Sequence, residues 1–213
     1  MKTVLRLVGL LIVLVVLGLL FIFSGIYDVA ASTPDTGLVQ WVLSTTQSRS
    51  VHRAYEGLEG KVRVPNLDDP NLIQTGLVHY HEMCATCHGA PGVKISEIGQ
   101  GLNPYPPELA SRKGEDEPLE NFWIVKNGIK MTGMPSFGVT HTDDEIWAIV
   151  AFLRRMPKLS PQEYQALVQQ AGLGQPGEEP GGITGQAQPS GEHHEETGER
   201  QHHTHPPGTP PHR

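Results

Sequence analysis

The apolar and polar positions divide the chain into stretches of different character. Residues 7–27 (LVGLLIVLVVLGLLFIFSGIY) run twenty-one positions without a charge, directly after Lys2 and Arg6. That length crosses about 30 Å of hydrocarbon as a single helix. The stretch reads as a membrane anchor. The alternative is a cleaved secretory signal ending near Val29-Ala30-Ala31, although the apolar part of such signals usually runs only about 7–15 residues. In both readings the two cations hold the N-terminus in the cytoplasm and the rest of the chain is exported. Residues 38–55 have apolar positions at 38, 39, 42 and 43 and then turn polar. They predict a short helix, either lying near the membrane surface with Trp41 as an interfacial anchor or packing as an ordinary helix. Residues 57–70 read as a loop-rich linker, so 28–71 is a juxtamembrane helix and linker.

A compact domain is predicted over residues 72–157. Its first helix covers about Asn71 to Met83, capped by Asp69 or Asn71. Gly89 to Pro107 is rich in Gly and Pro and is expected to be mostly loop. Pro118 suits the first turn of a helix carrying Phe122, Trp123 and Val125, which Asn127-Gly128 stops. Thr142-Asp143-Asp144-Glu145 reads as a capping box. The helix it opens places Ile146, Ile149, Val150 and Leu153 on one face, with Trp147 at the edge and Arg154 and Arg155 near its end. No stretch alternates in the manner of a strand, and the domain is expected to be all-α. A further short helix is predicted within 158–173. Residues 174–213 hold Gly, Pro, Gln, Glu and His, with no Val, Leu or Ile after Ile183. They lack the apolar surface needed to order themselves and read as a disordered tail.

Composition and charge narrow the picture. The 213 residues contain 24 Gly and 18 Pro, near a fifth of the chain, consistent with many loops. With both ends set aside, enough remains for one small core and not for a large multidomain enzyme. Of the net charge of −7, residues 72–157 contribute −3 and residues 174–213 contribute −4. No basic stripe is present, which argues against nucleic acid as a partner.

The two cysteines stand in Cys84-Ala85-Thr86-Cys87-His88. On a helix end, thiols three residues apart share a face and can form thioethers with the two vinyl groups of one haem, and the adjacent imidazole can reach the iron. A zinc site would need two further matched ligands, and a thioredoxin-like dithiol would need a βαβ setting; neither pattern is present, which leaves a chance match as the remaining rival. A carrier of electrons wants the second face of the iron closed as well. Met134, in Gly133-Met134-Pro135-Ser136-Phe137 and forty-six residues after His88, is the candidate, with Met131 as its competitor. Each methionine has a bland alternative as a core filler. A thioether ligand favours ferrous iron and raises the potential over a bis-imidazole site.

Residues 72–157 resemble a monohaem class I cytochrome c domain, similar to those in the c-type subunits of cbb3 oxidases. The likeness rests on CATCH at 84–88, the Gly-Met-Pro-x-Phe run at 133–137, the segment 124–137 (IVKNGIKMTGMPSF) and a closing apolar helix. It implies a small helical fold wrapping one covalently bound haem c. It also implies that Gly76 and Tyr80, eight and four positions before Cys84, cross the last helix where Trp147 and Val150 or Ala151 meet them. A proline carbonyl accepting from the haem histidine is expected too, with Pro104, Pro106 and Pro107 all open. Tyr105 and Trp123 border the haem or pack in the core. Arg112 and Lys113 pair with propionates or stand in solvent, solvent being favoured.

Eleven histidines are many for this length. His52, His79, His81 and His141 are expected at the surface. His193, His194, His202, His203, His205 and His212, interleaved with glutamates, offer weak divalent-metal binding or a merely solvating tail. The reading is therefore an electron carrier and not an enzyme in its own right, although it suits the electron-transfer subunit of a dehydrogenase or oxidase. It cycles Fe(II)/Fe(III) between a redox-protein donor and acceptor, anchored by a single pass in a bacterial cytoplasmic membrane with the haem domain in the periplasm. The alternatives are a haem-based gas or redox sensor with a labile sixth ligand, and a metal-handling protein that uses the His-rich tail.

Overall fold

Helix α1 spans Lys2–Ser24 and ends at Gly25 in the left-handed conformation. In the computed structural model, residues 1–112, 117–174 and 176 are described. The expected tail therefore lies outside the described residues apart from Gly174 and Pro176. No residue of α1 is buried by the rest of the protein, and its apolar run must be exposed in this way if it is to meet lipid. Helix α2 follows over Gly37–Glu56 and packs on a later helix, α6 (Pro118–Asn127).

The domain is helical, without strands among the described residues. Asp69 caps α3 (Pro70–His79), its carboxylate accepting from the Asn71 amide. The single helix expected over 71–83 instead changes character at Tyr80. Residues Tyr80–Cys84 form a π turn in which the Ala85 amide reaches back to the Tyr80 carbonyl. The wider turn lets two consecutive side chains find buried partners: Tyr80 donates to the Gly89 carbonyl at 2.6 Å, and His81 meets the Tyr164 hydroxyl at 2.7 Å. Helix α4 (Ala85–His88) completes the run. The segment after it is mostly loop, as expected, and contains one helical turn, α5 (Glu97–Gln100), capped by Ser96.

Helix α6 begins with Pro118 at its first turn and stops at Gly128, φ 64°. Helix α7 (Asp143–Arg155) opens on the Thr142–Glu145 capping box, with both reciprocal bonds present. Residues 146–153 of α7 are all buried. Buried apolar side chains of this size each contribute about 1.5–3 kcal/mol, so α7 is the centre of the core. It crosses α3 closely: a Cβ on Gly76 would stand 1.9 Å from the Ala148 carbonyl oxygen.

The crossing differs in register from the expectation. Gly76 meets Ala148 and Phe152, and Tyr80 packs against Phe152 with ring centroids 5.4 Å apart. Trp147 points instead to α6, stacked on Phe122 at 4.3 Å. The reason is spacing on α7: Ala148 and Phe152 are one turn apart and share the face toward α3, whereas Trp147 is rotated about 100° away.

Helix α8 (Pro161–Gln170) carries a second capping box, Ser160–Glu163. It buries Tyr164 and Val168 in the same core. His81 is a correction to the expected surface placement. It is 2% exposed, with Nδ1 at 2.7 Å from the Tyr164 hydroxyl and Nε2 at 3.0 Å from the Gly174 carbonyl. A carbonyl only accepts, so Nε2 carries the proton and Nδ1 accepts from Tyr164. His52 is exposed and bonds Tyr55 and Glu56. His79 and His141 are half-buried, edge to face at 5.3 Å.

Candidate haem site

Cys84 closes the π turn, and Cys87 and His88 lie in the single turn of α4. The backbone at Cys84 is itself helical, φ −97° and ψ −37°, so the two sulfurs emerge from one side of a continuous helical path. They are not joined in a disulfide. Burial, with a smaller contribution from Cys87, pushes the Cys84 thiol up to about 12. Among the described residues no group of three or more His, Cys, Asp or Glu side chains is placed to hold a metal ion.

His88 is held from behind. Its Nδ1 lies 2.9 Å from the Pro107 carbonyl, which selects Pro107 from the three candidate prolines. Because the carbonyl accepts, Nδ1 bears the proton and the Nε2 lone pair stays available. Burial lowers the pKa of the imidazole, while the Pro107 bond acts in the opposite direction. The neutral form, the one able to ligate, is thereby favoured. Gly89 ends α4 with φ 66°, and the Tyr80 hydroxyl fixes its carbonyl. Gly99 allows α5 to lie against the motif, since a Cβ there would be 3.0 Å from the Cys87 Cα.

The segment with both methionines leaves α6 through Gly128, whose α-carbon abuts the Pro135 backbone so closely that a Cβ would sit 2.6 Å from it. The Ile129 amide bonds the Met134 carbonyl at 3.2 Å, the Thr132 hydroxyl accepts from the Met134 amide at 3.1 Å, and Ser136 Oγ donates to the Lys126 carbonyl at 2.8 Å. Met134 is half-buried against the core cluster that includes Cys84. Met131 is 77% exposed, at φ 60°. Gly133 rests on Leu102, where a Cβ would be 2.6 Å from the leucine side chain.

Of the flanking candidates, Tyr105 is exposed and outside the core. Trp123 is half-buried and borders a cavity of about 970 Å³ shared with α2 and residues 128–132. Arg112 Nη1 lies 3.4 Å from the Asn121 side-chain oxygen, and Lys113 is outside the described residues. The roles of Tyr80 and Leu102 in bracing the site were not read from the sequence; Gly133, which Leu102 abuts, is the one local signal for the latter. Two thiols on one turn and an imidazole with its Nδ1 engaged fit a covalently attached haem.

Comparison with known proteins agrees. Residues 71–153 match the model of the family described as cytochrome C oxidase, cbb3-type, subunit III. No curated protein matches the chain. Among solved structures, a chain of the Kuenenia stuttgartiensis reducing HAO-like protein complex aligns at 23% identity with a TM-score of 0.36, over 44% of this chain and 46% of that one. This chain thus spans less than half the length of that neighbour. The family match and the helical architecture together show that the chain carries a c-type cytochrome domain, a haem electron-transfer module, with covalently bound haem c as its cofactor.

Proposed function

We propose that the chain is a membrane-tethered single-haem electron carrier on the periplasmic side of a bacterial cytoplasmic membrane. Cys84 and Cys87 form the thioethers, and His88 and Met134 are the axial ligands. The observation that carries the assignment is the stretch 102–107. Its Leu102 packs on Gly133, next to Met134, and its Pro107 carbonyl engages His88. One short loop thus braces both ligand-bearing segments, as a site closed on both faces of an iron requires.

The bound haem supplies one-electron Fe(II)/Fe(III) exchange. The chain's own residues tune it. Pro107 fixes the His88 tautomer and ring plane. The Thr132 and Ile129 bonds hold the Met134 backbone, and its inward packing favours it over the exposed Met131. The thioether favours the ferrous form and raises the potential relative to two imidazoles. Two strong ligands leave no open position for a substrate, so the role is carriage between redox proteins, either alone or as a subunit of a dehydrogenase or oxidase.

Support for the tether comes from α1. Its 23 residues rise about 34 Å, enough for the hydrocarbon core, and Lys2 and Arg6 orient it. Confinement to the membrane surface raises the effective concentration of partners there. Potentiometry of washed membranes from a haem-attaching host that expresses the full chain tests the proposal. A single n = 1 transition that stays with the membranes after alkaline carbonate supports it. Haem recovered in the wash refutes the tether, and the absence of a reversible one-electron transition refutes the carrier.

A further inference from the structure

Helix α2 has two faces. Val39, Leu43, Gln47 and Val51, spaced by four, turn toward the domain, with Val51 buried beneath them. At 100° per residue, Leu38, Trp41 and Val42 lie on the other side, 70%, 61% and 44% exposed. Further along that outer face comes Arg53, exposed and making no ion pair among the described residues, whereas Arg49 borders a recess that it shares with Glu120 of α6. An apolar first turn followed by a cation on the same face suits a helix resting in a lipid interface.

The connection from α1 gives the face its occupant. Only residues 25–36 separate the two helices, and they are folded, not extended. The Asp28 carboxylate accepts from the Ala30 amide at 2.9 Å and the Thr33 hydroxyl at 2.7 Å. The Tyr27 hydroxyl donates to Asp35 at 3.2 Å. Position 27, where the apolar span ends, is thus side by side with position 35, two residues before α2. The apolar turn of α2 therefore starts where α1 leaves the bilayer.

We infer that Leu38, Trp41 and Val42 seat α2 on the membrane surface, with Arg53 against anionic headgroups, and that this contact sets how the haem domain stands on the membrane. The opposite face of α2 packs on α6, so the orientation is passed directly to the domain. The inference rests on α1 being a membrane span.

Spin labels at single new cysteines in the full haem-loaded chain test it, because Cys84 and Cys87 are consumed by thioethers. Leu38→Cys, Val42→Cys, Leu14→Cys and Glu59→Cys are compared in phosphatidylethanolamine–phosphatidylglycerol vesicles, with oxygen and an aqueous nickel chelate as relaxers. Labels at 14, 38 and 42 should favour oxygen, and the label at 59 should favour nickel. Adding Arg53→Glu should at least halve the protection at 38, as should replacing the anionic lipid with phosphatidylcholine. If 14 is in lipid while 38 and 42 are as water-accessible as 59, the docking is overturned and the anchor stands. A water-accessible label at 14 overturns both. Protection at 38 and 42 that needs another membrane protein overturns the lipid assignment in favour of a protein occupant.

Discussion

Replacing Gly76 by Ala probes the contact on which the domain is built. The new Cβ would sit 1.9 Å from the Ala148 carbonyl oxygen and 2.9 Å from the Phe152 Cβ. Ordinary contact begins near 3.4 Å, so α3 and α7 must part by about 1.5 Å. Neither obstacle is the end of a flexible side chain: one is helix backbone and the other is the root of a fully buried ring. Parting of that size forfeits much of the dispersion between the facing side chains, Tyr80 and Phe152 first. Overpacking typically costs about 1–3 kcal/mol and occasionally more; with helix backbone as the obstacle the upper end, about 3–4 kcal/mol, applies, while the better helix propensity of Ala offsets about 1 kcal/mol. The net loss is about 2–3 kcal/mol, which for a domain of this size lowers Tm by roughly 10–20 °C. Thermal unfolding of the haem-loaded chain, followed by far-ultraviolet circular dichroism at one redox state, measures it. Gly37→Ala is the control, because nothing lies within 4 Å of its Cβ, and it should stay within about 0.5 kcal/mol. A loss below about 1 kcal/mol for Gly76→Ala would refute the close crossing of α3 and α7.

Three further outcomes follow from the same geometry. Tyr80→Phe leaves the buried Gly89 carbonyl without its 2.6 Å donor, and urea titration should show a loss of about 1–3 kcal/mol. His81→Leu removes the partner of both the Tyr164 hydroxyl and the Gly174 carbonyl and should cost a similar amount, about 1–3 kcal/mol; if it were neutral by the same titration, the buried network would not anchor α8. Thr142→Ala should destabilise by about 1 kcal/mol at neutral pH and should also flatten the acid limb of the stability profile. Bonds from the Thr142 amide and hydroxyl hold the Glu145 carboxyl below its usual pKa of 4.5. A depressed carboxylate contributes its stability above 4.5 and loses it as pH falls through the lowered value; the hydroxyl cap on the Glu145 amide persists in acid and the amide at position 142 still bonds Glu145 in the variant, so the gap between wild type and variant should narrow, without closing, at the acid end of Tm measured against pH.

Much of the fold was legible because its signals are local. Pro118 at the start of α6, Gly128 at its end, and the Thr142–Glu145 box each act within one helical turn, and all stand where the sequence put them. The motif at 84–88 is equally local. What depended on three-dimensional register was not legible. The choice of Pro107 over Pro104 or Pro106 depends on how the 89–107 loop returns to His88. The pairing of Gly76 with Ala148, and not with Trp147, depends on the rotation of α7 about its axis. His81 looked like a surface histidine because its partners lie eighty-three and ninety-three residues away. The preference for Met134 over Met131 came from the neighbouring Gly and Pro; the inward packing of Met134 and the outward position of Met131 are what the proposed ligation adds to it.

The central claim, an iron closed on both faces by His88 and Met134, is tested most directly by the absorption spectrum of the reduced, haem-loaded chain with and without carbon monoxide. The account predicts a c-type spectrum that carbon monoxide leaves unchanged in the unmodified chain and in Met131→Ala, and a carbon monoxide-sensitive spectrum in Met134→Ala. Ready binding of carbon monoxide by the unmodified chain, or by Met131→Ala alone, would contradict it.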